Sequence, residues 1–520
     1  MITRYKKNDI LELDIVDMTT EGLGIGKVDG QVFFVKDAII GDKVEVIITK
    51  VTSNINYAKA TTIIEESPYR VESQCFVANA CGGCKLLNLN YKKQLELKKK
   101  YVLDCLSKIG KFNIVAEESV GASTASPYDG IFGMDSPYNF RNKMQVPYAM
   151  RDGKIIYGFY AGRTHHVVEF KKCLVGFEGA EKILDAVRDG LKKFAISIYD
   201  EKTASGVFRE VMLRKGNESG EISITYILND KNYEKNLELY KKFDEYIVLN
   251  CNPVVENKSG SKTCKLVTST ININTSQNNV IFGNKNIILR GPGYISDTIG
   301  ATKYHISPES FYQVNSKLTK VLYDKILEYT DFNGDENVLD LYCGIGTISL
   351  YIARKVNKVV GIEIVDKAIE NAKENAKING INNAVFICSD VVNVGTDKSL
   401  KVNDENTSKD DNINYFDTVI VDPPRKGLDN STIDYIKRLA PKKVIYVSCN
   451  PSTLARDLDL LCHSEPEFRM GELCEPSGKA TRMGELCEPV YNLVKLANVD
   501  MFPHTMHVET VCLMSRVEGK

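Results

Sequence analysis

The sequence predicts an α/β protein in which a small N-terminal β-barrel and a central mixed α+β region precede a C-terminal Rossmann-like domain with a parallel sheet. From about residue 313 onward, apolar strands alternate with helical segments, which is typical of a parallel sheet covered by helices. Residues 1–66 instead contain short alternating strands, broken by Gly and Asp turns, which is typical of a small barrel. We therefore expect three domains, covering residues 1–66, 67–312 and 313–520.

The composition excludes several classes of protein. Hydrophobic residues make up 43% of the 520 residues and charged residues 26%, as in ordinary globular proteins. The sequence contains no run of about 20 apolar residues and no secretory signal, so we expect a cytoplasmic protein with no membrane partner. Thiols stay reduced in that compartment, which leaves the 14 cysteines as core residues, metal ligands or nucleophiles.

The charge gives only a local indication of a nucleic-acid partner. The net charge of −1 is unlike that of most proteins that coat nucleic acids. Residues 90–112 nevertheless concentrate Lys against only Glu96 and Asp104. This segment is either a solvated helix face or a patch that binds RNA, and its composition leaves both interpretations open.

The segment DLYCGIGTISL (340–350) indicates a cofactor site. An apolar strand runs there into a turn containing Gly344 and Gly346 and then into a helix. Glycines let the main chain pass close to a ligand, and a helix start favours polar or negative groups. Glu363 ends the next strand, where an acid can accept hydrogen bonds from both ribose hydroxyls of an adenosine. This pattern fits a dinucleotide as well as S-adenosylmethionine.

Two later strand ends carry further candidate residues. Asp422 begins the turn DPPRKGL, and it should point into the crevice that forms at the carboxyl ends of parallel strands. Cys449 follows the next strand. A lone Cys is usually a small core residue. Its position at a strand end, with Arg456 nearby, favours a nucleophile, because neighbouring cationic groups lower the pKa of a thiol.

The C-terminal segment DMFPHTMHVETVCLM offers a general base. His504, His507 and Glu509 lie close together in the sequence. We favour Glu509 as the base and His504 as a positioning residue. A zinc site is the competing interpretation, but an extended segment would turn His504 and Glu509 to opposite faces.

A cysteine cluster with the spacing C-x5-CGGC places Cys75, Cys81 and Cys84 ahead of the basic segment. This spacing suits zinc or an iron–sulfur cluster, and either one needs a fourth ligand. Cys173, at a predicted strand end, is the first candidate for that ligand, and Cys105 is the second. Three unliganded thiols are the remaining alternative.

Together these motifs resemble the bacterial RNA uracil-5 methyltransferases, and in particular the branch that acts on 23S ribosomal RNA. The resemblance covers nearly the whole chain and includes the cysteine cluster, SFYQVN, DLYCGIGT, VDPPRKG, SCNP and MFPHTMHVE. It implies an RNA-binding barrel of the TRAM type, which is OB-like, and a class I methyltransferase domain. It also implies two cofactors, S-adenosyl-L-methionine and a [4Fe–4S] cluster, and RNA as the binding partner. We expect the protein to be a monomer that needs no other protein.

The resemblance also assigns roles to individual residues. The ligands of the [4Fe–4S] cluster would be Cys75, Cys81, Cys84 and Cys173. The contacts of S-adenosyl-L-methionine would be Gln313, Tyr342, Glu363 and Asp422. The nucleophile would be Cys449 and the general base Glu509, with Phe311 near the flipped base.

These roles imply a covalent mechanism, because carbon 5 of uracil is a poor nucleophile. Thiolate addition at carbon 6 makes an enolate, carbon 5 takes the methyl group, and a base then removes its proton. Two alternatives stay open: an RNA cytosine-5 methyltransferase, and an inactive iron–sulfur protein that binds RNA. The octet RMGELCEP occurs twice, from Arg469 and from Arg482, between the nucleophile and the base. None of the motifs that carry the resemblance contains this octet.

Overall fold

The computed structural model describes residues 5–114, 126–251, 264–278, 280–391, 415–462 and 490–517. Both copies of RMGELCEP lie outside these residues, and so do residues 395–414, a polar stretch that the sequence predicts to be a loop. The chain forms two compact units. The first is made of Met1–Lys98, Gly133–Thr319 and Met501–His507, and the second of Lys99–Phe132, Lys320–Asp500 and Val508–Lys520. The predicted division into three domains stays a prediction.

The first unit begins with a closed barrel of five strands, as the alternating sequence predicts. Its strands are β1 (Ile10–Met18), β2 (Gly24–Val28), β3 (Gln31–Lys36), β4 (Lys43–Val51) and β5 (Ile55–Glu65). They pair in the order β1-β2-β3-β5-β4, and the barrel closes between β4 and β1. Every second residue faces inward, so that Leu13, Phe33, Val44 and Val46 form a buried core.

The chain then forms a mixed set of helices and strands. In order they are α1 (Tyr91–Lys108), β6 (Tyr128–Phe132), β7 (Lys143–Arg151), β8 (Lys154–Tyr160), β9 (Val167–Glu169), α2 (Ala180–Lys193), β10 (Phe208–Lys215), β11 (Glu221–Leu228), α3 (Leu237–Cys251), β12 (Lys265–Ile273), β13 (Lys285–Arg290), β14 (Ile295–Ile299) and β15 (Thr302–Ile306). Seven of these strands make one sheet of the first unit, in the order β13-β12-β11-β10-β7-β8-β9. This is the mixed α+β architecture that the sequence predicts for the central region.

The remaining elements alternate between helix and strand. They are α4 (Ser316–Thr330), β16 (Asn337–Leu341), α5 (Thr347–Ile352), β17 (Lys358–Glu363), α6 (Asp366–Ile378), β18 (Ala384–Cys388), β19 (Thr418–Val421), α7 (Asn430–Leu439), β20 (Lys443–Ser448), α8 (Pro451–Cys462), β21 (Tyr491–Val499) and β22 (Glu509–Arg516). A short 3-10 turn, Ala353–Lys355, follows α5.

The sheet of the second unit has eight strands, in the order β18-β17-β16-β19-β20-β22-β21-β6. Its first five strands are parallel, as predicted. β22 runs antiparallel to both β20 and β21. The sequence did not predict that β6, which comes far earlier in the chain, would complete this sheet beside β21. Within the described ranges, no helix is both long and apolar enough to cross a membrane.

Candidate active site at the carboxyl edge of the C-terminal sheet

The parallel strands of the second unit end at one edge of the sheet, which we call the carboxyl edge. β16 pairs in register with β17 and β19, so that Tyr342, Glu363 and Asp422 stand side by side just past the last shared rung. β20 pairs with β19 and continues for two more residues before Cys449. Four residues predicted from separate motifs are therefore neighbours.

The fifth residue at this edge, Glu509, comes from the antiparallel strand. Ser448 of β20 pairs with Thr510 of β22. The next residue of the first strand, Cys449, is therefore opposite the preceding residue of the second, Glu509. Directly opposed residues of antiparallel strands have Cα atoms about 4.5–5.5 Å apart. The predicted nucleophile and the predicted base thus lie within reach of one small ring.

The Glu363 carboxylate is fixed by main-chain N–H groups. One oxygen accepts from Ile364 at 2.9 Å and Val365 at 3.0 Å, and the other accepts from Gly344 at 3.2 Å. The side chain is half-buried. A carboxylate held in this way keeps lone pairs in a fixed direction, which is what recognition of ribose hydroxyls requires.

The glycine turn beside Glu363 is open on one side and tight on the other. Gly346 has φ 77°, and a Cβ there would lie 2.9 Å from the ring of Phe386. Gly344 has φ 56°, and nothing lies within 4 Å of the position that its Cβ would take. Tyr342 also has a positive φ of 66°. The open side leaves main chain accessible for a ligand.

Asp340, which the sequence analysis did not single out, is a buried acid beneath the same turn. Its carboxylate accepts a hydrogen bond from the Ser349 hydroxyl, while its Oδ1 is buried with no hydrogen-bond partner among the described residues. Burial raises the pKa of Asp340 to about 7. The rule that selected Asp422, an acid at the end of a parallel strand, could also have found this residue.

Asp422 and Glu509 are two further acids whose pKa values are raised. Burial raises the pKa of both carboxyls, and each rises further because another acid is nearby: Asp340 for Asp422, and Asp422 for Glu509. The side chain of Glu509 is only 3% exposed, and within the described part of the chain its Oε2 has no hydrogen-bond partner. An unsatisfied buried carboxyl costs stability, which is common at functional sites.

The expected lowering of the Cys449 pKa is wrong. Burial raises the pKa of the Cys449 thiol to about 11, and the nearby Glu509 adds to the rise, while Arg425 opposes it. The sequence predicts Arg456 as the neighbouring cation. Arg456 instead pairs with Asp457, with 2.6 Å between Nη2 and Oδ1. The thiol is therefore protonated at neutral pH in the structure as it stands.

Tyr323 of α4 is a second neighbour that sequence reasoning missed. Its hydroxyl donates to Thr347 Oγ1 at 2.9 Å. Burial raises its pKa, and the charges of Asp422, Asp340 and Glu509 raise it further. No local pattern marks this tyrosine, because only the tertiary fold brings α4 to the carboxyl edge.

The remaining predicted residues belong to the first unit. His504 is buried, with its ring stacked on Tyr138 at 5.0 Å and its main-chain N–H donating to Gln94. Gln313 is buried, and its main-chain carbonyl oxygen accepts from the side-chain amide (Nδ2) of Asn142 at 2.8 Å. Phe311 is 67% exposed, and its place near a flipped base stays a prediction.

The cysteine cluster also lies in the first unit. Cys75, Cys81, Cys84 and Cys173 all line one cavity of about 350 Å³. Cys105 is not in that lining and packs instead with its Sγ 3.5 Å from Ser452 Oγ. Among the described residues, no three His, Cys, Asp or Glu side chains are close enough to hold a single metal ion.

Fold and site together define the class of protein: an α/β enzyme with a Rossmann-like sheet whose carboxyl edge combines a nucleotide-type cofactor turn with a thiol and a buried acid. Residues 283–469 match the model of the tRNA (uracil-5-)-methyltransferase family, and residues 5–63 match the TRAM domain.

Full-length relatives agree with these matches. An RNA methyltransferase of Clostridium tetani (strain Massachusetts / E88) is 38% identical over 513 residues, which is 98% of this chain and 97% of the relative. One from Bacillus cereus (strain ATCC 10987 / NRS 248) is 39% identical over 518 residues, covering 100% of this chain and 99% of the relative. Both are named as uncharacterized RNA methyltransferases. This chain belongs to the RNA methyltransferase family, and it contains a TRAM domain and a (uracil-5-)-methyltransferase domain.

A solved structure shows the same fold. The tRNA (uracil-54, C5)-methyltransferase of Pyrococcus abyssi, in complex with S-adenosyl-L-homocysteine, matches with a TM-score of 0.67 and 24% identity. The match covers 97% of this chain and 100% of that one. The predicted family and the predicted methyltransferase and TRAM folds are therefore confirmed.

The arrangement at the carboxyl edge predicts the behaviour of the free thiol. Because Glu509 raises the pKa of Cys449, replacing it by a neutral side chain in Glu509→Gln should increase the thiolate fraction. We expect iodoacetamide to alkylate Cys449 about threefold faster or more at about pH 8, measured peptide by peptide with mass spectrometry. The exposed Glu374→Gln should leave the rate unchanged. Slower alkylation in Glu509→Gln would contradict the proximity of the two side chains.

Proposed function

We propose that this protein transfers a methyl group from S-adenosylmethionine to carbon 5 of a uridine in RNA. The observation that carries the proposal is that Cys449 lies opposite Glu509, at the same carboxyl edge of the sheet as Glu363 and the glycine turn. A uracil-5 methyltransferase needs a nucleophile for carbon 6 and a base for the carbon 5 proton, both close to a methyl donor. The family match over residues 283–469 supports the same reaction.

The residues at the edge fit S-adenosylmethionine. Glu363 would accept from the ribose, the open main chain at Gly344 would let the cofactor approach, and Tyr342 and Asp422 would line the rest. Gln313 is a further proposed contact, based on the FYQVN motif. The unpartnered oxygen of Asp340 shows that this region has unused acceptors. The cofactor, when bound, supplies the electrophilic methyl group.

The chain's own residues carry the proton transfers. Cys449 gives its proton to solvent water, and the thiolate sulfur then bonds to carbon 6 of the uracil while the electron pair of the double bond between carbons 5 and 6 makes carbon 5 nucleophilic. After carbon 5 takes the methyl group, Glu509 accepts the proton of that carbon, and the bond between the sulfur and carbon 6 breaks. A carboxylate with a raised pKa is a stronger base than an exposed one, so the burial of Glu509 suits it to this step.

The proposed substrate is 23S ribosomal RNA, on the strength of the motif resemblance. The solved relative from Pyrococcus abyssi acts on tRNA, so a tRNA uridine is the second candidate. Mapping 5-methyluridine in both RNAs from a deletion strain separates them. We further propose a cytoplasmic monomer whose barrel, residues 1–66, binds the RNA, with a central domain at 67–312 and the methyltransferase domain at 313–520.

Two other activities are distinguishable by experiment. An RNA cytosine-5 methyltransferase also uses a Cys adduct but typically carries another Cys after the Pro turn, which DPPRKG lacks. Mass spectrometry of the methylated nucleoside identifies the base. An inactive RNA-binding protein would bind RNA without any transfer from a labelled donor.

We also propose that Cys75, Cys81, Cys84 and Cys173 hold a [4Fe–4S] cluster in the cavity they share. Four cysteine thiolates are the usual ligand set of such a cluster, and all four side chains line this one cavity. Protein purified without oxygen should contain equal amounts of iron and sulfide. Cys173→Ala should lose most of both, whereas Cys105→Ala should keep them. Zinc in place of iron would refute the assignment.

Cys449→Ala should abolish methylation, because it removes the sulfur that adds to carbon 6. Glu509→Gln should slow turnover by about a hundredfold or more and accumulate a covalent protein–RNA adduct that survives denaturing gels. Cys251→Ala, which removes a thiol at the end of α3 in the first unit, is the matched control and should stay active. Normal turnover by Cys449→Ala would end the proposal.

The raised pKa values also predict the pH dependence of the reaction. Glu509 must be ionised to act as a base, and Cys449 must lose a proton to act as a nucleophile, and both pKa values are raised. Single-turnover methylation should therefore accelerate from about pH 6 to about pH 9. A rate that falls over this range would show that neither group acts in the proposed form.

A further inference from the structure

The turn after β19 is fastened to α8 by side chains. The Arg425 carbonyl accepts from Asn450 Nδ2 at 3.0 Å and Thr453 Oγ1 at 3.3 Å. The carbonyls of Lys426 and Leu428 both accept from Arg456 Nη2, at 3.0 and 3.2 Å. Three main-chain carbonyls of one short turn thus accept hydrogen bonds from side chains at the start of a single helix.

Asp457 completes this attachment from inside the protein. Its side chain is fully buried, and Oδ2 accepts from the Leu428 N–H at 2.8 Å and the Tyr446 hydroxyl at 2.7 Å. Its Oδ1 accepts from Arg456 Nε at 2.7 Å. Gly427 has φ 76°, and a Cβ there would overlap Asp457 and lie 2.7 Å from Arg456 Nη2. The main chain of the turn therefore packs directly on the Arg456–Asp457 pair.

The attachment joins the turn that carries Arg425 to the helix that follows Cys449. The turn carries Arg425, the cation that opposes the acids around Cys449. α8 begins at Pro451, two residues after that cysteine. Because Asn450, the residue after Cys449, donates to the Arg425 carbonyl, any loosening between turn and helix would move the main chain of Arg425 relative to the cysteine.

We propose that Arg456 is a positioning residue for the nucleophile: by tying the turn to α8 it holds the main chain of Arg425 in place relative to Cys449. Asp457 orients Arg456 for this role. The inference rests on the proposed function for the importance of Cys449, but the contacts that carry it are independent of RNA and cofactor.

A purely structural role makes a different prediction. The Arg456 side chain is 46% exposed, but its partner Asp457 is fully buried, so loss of the cation would leave a buried carboxylate without its ion pair. If Arg456 only strengthened the fold, its loss would lower the unfolding temperature and leave the chemistry of the thiol unchanged. The reactivity of Cys449 is therefore the decisive measurement.

The experiment measures alkylation of Cys449 by iodoacetamide against pH, in full-length protein without RNA or donor. Arg456→Met should slow alkylation about threefold to tenfold at about pH 8, because a rise of one pKa unit lowers the thiolate fraction tenfold. Arg456→Lys keeps the charge but lacks the planar fork that bonds Asp457 and two carbonyls together. It should resemble Arg456→Met.

A double variant tests whether Arg456 acts through Arg425. Arg425→Gln should slow alkylation by itself, and adding Arg456→Met should cause no further loss. Arg354→Met is the matched control, since Arg354 is exposed and donates to one main-chain carbonyl, that of Asn379. It should alkylate like the unchanged protein.

Three results would overturn the inference. The first is an unchanged alkylation rate in Arg456→Met, and the second is a rate in Arg456→Lys equal to that of the unchanged protein. The third is that Arg456→Met slows alkylation as much in the Arg425→Gln variant as it does when Arg425 is present. The proposed function can fail separately. Normal methylation by Cys449→Ala would reject it while leaving these alkylation rates as they are.

Discussion

The reversal of one strand determines the geometry of the candidate active site. Because β22 is antiparallel to β20, its first residue, Glu509, lies at the carboxyl edge. Had this strand been parallel, the same residue would have started at the opposite edge, roughly 20 Å away for a strand of this length. The nucleophile and the base come from distant parts of the sequence, and a single antiparallel pairing places them face to face.

The electrostatics of the edge follow from this geometry. Asp340, Asp422 and Glu509 converge with Cys449 where solvent is limited, and burial disfavours every negative charge there. The thiol accordingly holds its proton, which protects it from unwanted oxidation. A positively charged ligand would reverse this balance by favouring the ionised carboxylates. Arg425 provides part of that compensation from the protein itself, and for this reason its position matters.

The sequence predicted the features that depend on the order of neighbouring strands and helices along the chain. Strand ends in a parallel sheet share one edge, so Tyr342, Glu363, Asp422 and Cys449 could be grouped without a structure. The direction of the Cys449 pKa could not be predicted, because it depends on burial and on Glu509, which is 60 positions away in the chain. Closeness in sequence was misleading for the cation, since α8 turns Arg456 back onto the DPPRKG turn. Nothing local indicated that β6 would join the sheet.

The duplicated octet lies in a segment that separates α8 from β21, and the described residues at its two ends limit its influence. The Val490 N–H donates to the Cys462 carbonyl at 2.8 Å, so the last described residue before the octets is hydrogen-bonded to the first described residue after them. β21 then pairs with β22 along its whole length, ending with Val499 opposite Glu509. Doubling the length of a closed loop costs only about 0.6 kcal/mol. The position of the base is thus fixed by sheet pairing, whatever the length of the segment inserted before it.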